Sequence, residues 1–192
     1  MRRNLVLALI LLATVLGIVV VIKFYPTKKA TVSPANLPTS TLIHAGMKIS
    51  SPAFENNHMI PRIYTCDGKN TNPPLLFSNV PDNAKSLALI VDDPDAPNGT
   101  WVHWIVFNLP ITTKEIAEDS VPINSMQGIT SFGKAGYGGP CPPSGTHRYF
   151  FKLYALDTVV ETNRNTTKAT LEQEIQGHIV DQAEIIGLYQ RA

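Results

Sequence analysis

The sequence is poor in the groupings on which most enzyme and metal chemistry is built. It has two cysteines and five histidines in 192 residues. None of them falls in a C-x-x-C or H-x-x-x-H pair, which removes the usual zinc and iron–sulfur spacings. No G-x-S-x-G nucleophile elbow is present. Acidic residues are missing from the first 44 positions, where Arg2, Arg3, Lys23, Lys28 and Lys29 stand. The remainder holds 11 basic and 15 acidic residues, a net charge of −4. Such a balance lacks the basic face that nucleic-acid binding needs, so no nucleic acid is expected as a partner. Internal repeats and heptads are absent, and only one stretch beyond the N-terminus reads as a convincing helix.

Strand-like runs fill the rest. Ser86–Val91, Val102–Leu109 and Tyr149–Leu156 are short, rich in β-branched and aromatic residues, and bounded by proline or turn sequences. With 15 prolines and 44% hydrophobic residues, they predict a mainly β domain that begins near Met47. The single helix is expected to start at Thr166 or Thr167, or at Thr170 through a capping box. Leu171, Ile175, His178 and Ile179 would share one of its faces. Ala183–Tyr189 reads as a second helical turn or a closing strand.

Ahead of the domain, Leu5–Ile22 is an apolar run of 18 residues interrupted only by Thr14 and Gly17. That is close to the roughly 20 residues that span a bilayer and longer than the core of a cleaved signal peptide. No small-x-small cleavage site or lipobox cysteine follows it. The expected organisation is a transmembrane signal anchor over residues 1–25, a linker over 26–44 rich in Lys, Thr, Ser and Pro, and a β domain over 45–192. A single-pass membrane protein with an extracytoplasmic domain follows. The sequons Asn98-Gly99-Thr100 and Asn165-Thr166-Thr167 are compatible with export.

Two segments concentrate polar chemistry. Asp92–Pro110 contains D-D-P-D-A-P followed by W-V-H-W, and Gly136–Asp157 contains G-Y-G-G-P-C-P-P followed by S-G-T-H-R-Y. Each is a proline-stiffened loop, then a histidine, then an apolar strand. Proline fixes φ, so such loops hold their side chains at low entropic cost, and either Pro94 or Pro97 could be cis. Two of them point to one preorganised pocket. Strand alternation sends Trp101 and His103 to one side and Val102 and Trp104 to the other. By the same rule His147 and Tyr149 share a face while Arg148 points away and is read as structural. Backbone N–H groups of Gly138 and Gly139 could add a small anion-binding concavity.

The combination of D-P-D-A-P, W-x-H and G-x-H-R-Y resembles the phosphatidylethanolamine-binding protein family, also called Raf kinase inhibitor proteins. The stretch Tyr64–Leu75 and the G-Y-G-G-P-C-P-P run resemble its bacterial and archaeal branch. The resemblance covers roughly Ala45 to Arg191. It implies an antiparallel β-sandwich of a large and a small sheet, with a C-terminal helix near the pocket mouth. It further implies a ligand pocket formed by Asp93, Trp101, His103, Pro142, His147 and Tyr149, with Asp95 beside it in a more structural role. A phosphate-bearing or other anionic small ligand, such as a phospholipid head group, suits those donors. The family is generally non-catalytic and includes inhibitors of proteases and kinases, so a protein target is the alternative partner. No cofactor is implied.

Three other chemistries compete for the same residues. Two histidines and an aspartate could hold a metal, but the spacing is wrong and aromatic residues crowd them. Cys141 with His147 could form a nucleophile pair, without an evident third residue to orient it. Ser144, His147 and Asp93 imitate a hydrolase triad without its elbow. Cys66 and Cys141 adjoin the loops of the pocket. A disulfide between them suits an extracytoplasmic domain, and two buried free thiols suit a cytoplasmic one.

Overall fold

The computed structural model describes residues 46–191, apart from 162 and 164. Nine strands form two sheets. β1 (Lys48–Ser50), β3 (Leu75–Ser78) and β6 (Glu115–Ile116) make the small sheet, in the order β1-β3-β6. The large sheet contains β2 (His58–Met59), β4 (Ser86–Asp93), β5 (Trp101–Leu109), β7 (Met126–Gln127), β8 (Thr146–Leu156) and β9 (Ile179–Gln190), in the order β2-β9-β8-β4-β5-β7. Its pairs are antiparallel except at the edge, where His58 and Met59 run parallel to Gly187 and Leu188. The sheet is therefore mixed rather than wholly antiparallel.

β4 is buried along its whole length, on both faces. Leu87, Leu89 and Val91 of β4 join Phe151 and Leu153 of β8 in the core facing the small sheet, which also takes in Ile49, Leu75 and Phe77. The intervening Ala88 and Ile90 face the other way, against Ile105, Phe107, Leu171 and Ile175. That is why β4 reads as a continuous apolar run instead of an alternating one.

Among the described residues the one α-helix, α1 (Lys168–Ile175), covers this second face. Thr167 caps it, its hydroxyl accepting from the Thr170 N–H while the Thr170 hydroxyl accepts from the Thr167 N–H. Two of the expected face residues, Leu171 and Ile175, are buried. The other two are not helical: Gly177 takes φ +83°, and Ile179 opens β9. Ala183–Tyr189 is part of that strand.

The expected N-terminal transmembrane helix and single-pass membrane localisation require correction. Among the described residues no helix is long and apolar enough to cross a membrane. α1 has eight residues, about 12 Å of rise against the ~30 Å of a bilayer core. The 1–25 segment and the 26–44 linker lie outside the described residues, so neither expectation is carried forward.

Candidate functional site

The inward stripe of β4 ends on a carboxylate. Leu87, Leu89 and Val91 are followed on the same face by Asp93, which is 3% exposed. Its neighbours on either side begin their strands here, so three strand ends deliver Asp93, His103 and His147 to one place.

His103 arrives by a β-bulge. Val91 pairs with Trp104 and Asp92 with Val102, which leaves His103 as an extra residue on β5. The bulge turns His103 and Trp104 to the same side. Alternation correctly groups Trp101 with His103 but wrongly sends Trp104 out with Val102: Trp104 lies in the core facing the small sheet, Val102 in the other.

The imidazoles are each held through one nitrogen. His103 Nδ1 donates to the Gly138 carbonyl at 2.6 Å, and the Gly138 N–H returns a bond to the His103 carbonyl at 2.9 Å. His147 Nδ1 donates to Asp93 Oδ2 at 2.7 Å, and Asp93 Oδ1 accepts the Asp95 N–H at 2.8 Å. Both Nε2 atoms are left without a partner among the described residues, and neither is sealed from the cavity. Burial pushes the His103 ring below the ordinary histidine range, opposed in part by its bond to Gly138 and by the nearby Asp93 charge.

The Asp93–Pro97 loop is fixed by Arg148. Its backbone N–H and Nε both donate to Asp95 Oδ2 at 2.9 Å, and Nη2 donates to Asp95 Oδ1 at 2.7 Å. These bonds hold the Asp95 carboxyl at about 2. Both residues thus act on the loop and not in the cavity. No peptide bond among the described residues is cis.

The second loop is tied down from below. Tyr137 Oη donates to the Tyr64 carbonyl at 2.9 Å, the Gly139 N–H to Asn70 Oδ1 at 2.7 Å, and the Cys66 N–H to the Pro140 carbonyl at 3.1 Å. Cys66 and Cys141 are bonded, with Cα atoms 5.4 Å apart. A side chain at position 139 would put its Cβ 2.5 Å from the Tyr64 oxygen, so only glycine fits there. The expected anion nest does not form, because the N–H groups of Gly138 and Gly139 are already spent on His103 and Asn70.

These segments enclose a cavity of about 380 Å³. Asp93, His103 and His147 form its polar floor, and Trp101, Pro97, Pro142 and Pro143 its apolar walls. The structure thus brings together Asp93, Trp101, His103, Pro142 and His147. Tyr149 stands behind them and does not line the cavity. Its ring meets that of His103 edge-on at 5.1 Å. Its hydroxyl is buried near Asp93 and the Cys141 backbone, yet no hydrogen bond of good geometry reaches it. Burial, then the Asp93 charge, raises that phenol far above its usual range.

Sequence reasoning missed Phe132, which lines the cavity and packs edge-on against both Trp101 and His103 at 5.5 Å. It sits in a loop without periodicity, and nothing in its sequence context marks it. The competing nucleophiles are disposed of by geometry. Cys141 is in a disulfide and has no thiol to offer, and Ser144 does not line the cavity.

Two unequal sheets, with a buried carboxylate–imidazole pair at an open cavity beyond the strand ends, define a β-sandwich of the ligand-binding type. A family model described as phosphatidylethanolamine-binding protein matches residues 50–190, and the chain belongs to that family. It is 47% identical over 150 residues to a UPF0098 protein of Methanothermobacter thermautotrophicus, covering 76% of this chain and 99% of the relative. A UPF0098 protein of Pyrococcus horikoshii is 46% identical, over 76% of this chain and 77% of its own. Among solved structures, a phosphatidylethanolamine-binding protein homologue from Chlamydia trachomatis superposes with a TM-score of 0.74 at 43% identity, covering 77% of this chain and 99% of that one. The E. coli protein YbcL, described as a member of the mammalian PEBP family, gives 0.73 at 33% identity, over 77% and 100%.

Proposed function

We propose that the chain is a non-catalytic binding protein whose cavity takes the phosphate-bearing, anionic head of a small ligand. One observation carries this reading. Both imidazoles are anchored through Nδ1, so each offers only Nε2 to the cavity, and the two differ in what they offer. Burial favours the neutral form of His103, and with Nδ1–H donated to Gly138 the neutral ring presents Nε2 as an acceptor. His147 is paired through Nδ1 with the Asp93 carboxylate, which supports a donor N–H at its Nε2.

A phosphate monoester in its singly protonated form matches this pair. An anionic oxygen accepts from His147 Nε2–H, and the P–OH donates to His103 Nε2. The apolar walls at Trp101 and Phe132 then face the ester substituent. An ammonium group on that substituent, as in phosphoethanolamine, would find an aromatic face at the rim.

Calorimetric titration of the full chain with inorganic phosphate and phosphoethanolamine tests the reading. Millimolar binding is expected for both, tighter for phosphoethanolamine, and weakened about tenfold in His103→Ala and in His147→Ala. Isotherms unchanged in both variants would overturn it. Specific capture of a protease or kinase with no phosphate binding would favour a protein-interaction role instead.

A further inference from the structure

A second cavity borders the same glycine-rich loop and contains no cation. We infer that it is a binding site for a small polyhydroxyl compound, a sugar ring or polyol presenting a vicinal diol. The cavity is about 240 Å³ and lies between the segments Asn70–Asn72 and Asp119–Val121. That is smaller than the ~300 Å³ at which drug-sized pockets begin, so a single ring or short chain is the largest occupant it suits.

Its walls are fixed by groups that do not face the ligand. Asn72, 4% exposed, donates through Nδ2 to the Ala117 carbonyl at 2.9 Å and accepts the Ser120 N–H at 3.1 Å through Oδ1. This pins the Asp119–Val121 segment. Tyr137 and Trp104, with rings edge-on at 5.6 Å, close the base.

The chemistry follows from which polar atoms are used. Trp104 Nε1, which can only donate, gives its proton to Gln127 Oε1 at 2.7 Å. The Gly139 N–H, likewise only a donor, goes to Asn70 Oδ1 at 2.7 Å. These two bonds settle the orientation of both amides and leave Gln127 Nε2 and Asn70 Nδ2 as free donors at the cavity. Asp119 supplies a carboxylate with no hydrogen bond or ion pair among the described residues, held in the left-handed region at φ +53°.

An anion is excluded by Asp119 and by the absence of any Lys, Arg or His in the lining. A simple cation would satisfy Asp119 but leave two amide N–H groups facing it. Hydroxyl groups alone answer the whole set, because each accepts from an amide and donates to the carboxylate. Adjacent hydroxyls do both at once.

The chain has two tryptophans, and they divide between the cavities: Trp101 lines the histidine cavity and Trp104 the amide cavity. The two indole N–H resonances of 15N-labelled full-length protein therefore report the sites separately. Titration with methyl α-glucoside, methyl α-mannoside, myo-inositol and glycerol is expected to move the Trp104 signal and the Gln127 amide pair, and to leave Trp101 in place. Preference for a hexoside marks a sugar site, and preference for inositol or glycerol a free polyol site. Phosphate should move Trp101 alone. Asn70→Asp keeps the acceptor for Gly139 but inverts the free donor, and Asp119→Asn inverts the carboxylate while tolerating the same φ. Each is expected to weaken binding about tenfold. No shift of Trp104 with any of the four compounds, or equal affinity in Asn70→Asp and Asp119→Asn, would overturn the inference without touching the phosphate reading.

Discussion

Asp92 and Asp93 are neighbours in β4, both carboxylates, both buried, and they have opposite fates. Alternation sends Asp92 to the helix-covered face, where it is wholly inaccessible and meets Lys152 Nζ at 2.9 Å and Lys168 Nζ at 3.6 Å. Asp93 goes to the cavity face and meets one imidazole and one backbone N–H. The first carboxylate is enclosed by permanent charges. The second holds an imidazole whose far nitrogen opens on a cavity. Burial and charge are common to both, so neither marks the site. What marks it is a partner left half-satisfied at a place a ligand can reach.

That contrast can be broken at several points. The largest effect is expected from Cys66→Ser/Cys141→Ser. The crosslink spans 75 residues, and its loss should cost about 4 kcal/mol in the chain-entropy model. It ties the cavity loop and not the Asp92 cluster, so urea titration should show lower stability together with weaker phosphate binding. Next comes Asp92→Ala, which takes the carboxylate from Lys152 and leaves Lys168 to Glu172 alone, and should cost about 2 kcal/mol, with phosphate affinity of the folded protein unchanged within about twofold. Asp93→Asn should do the reverse. Stability falls by about 1 kcal/mol, since one acceptor survives, while phosphate affinity falls about tenfold. Equal stability losses for the two aspartates would erase the distinction.

Two smaller effects concern pH. His103 is depressed in the fold, so its contribution to stability is complete above the unfolded histidine value of about 6.5 and declines as pH falls below it. His103→Asn keeps a donor for Gly138 without titrating, and its stability profile should be flatter over that acid limb. Asp95 is depressed to about 2, so its contribution is complete above its unfolded value near ~3.9 and is lost as pH falls through the folded one. Arg148→Ala should therefore be mildly destabilising at neutral pH and converge on wild type only as pH falls below about 2, as followed by circular dichroism.

Much of the architecture was legible because it rests on local rules. Proline-bounded apolar runs marked β4, β5 and β8 to within a few residues, and alternation grouped His147 with Tyr149. The failures have common causes. A bulge adds a residue without changing composition, so the facing of Trp104 could not be read. The helix was drawn too long because His178 and Ile179 continue its period, although Gly177 supplied a stop signal. The nest at Gly138 and Gly139 failed because only the folded chain shows that Asn70 and His103 consume those protons. The parallel edge pairing of β2 with β9 joins residues about 130 positions apart, and no local pattern announces it.

The bulge in β5 has a consequence for how such a site is gained and lost. Remove His103 from the strand and nothing else changes sides: Trp101 and Trp104 still point inward, Val102 and Ile105 outward, and the ladder to β4 becomes regular at this end. The residue is an insertion into a strand whose packing is already complete. A single codon therefore separates the scaffold from the scaffold with its cavity histidine, and deletion, not substitution, is the cleanest route between them.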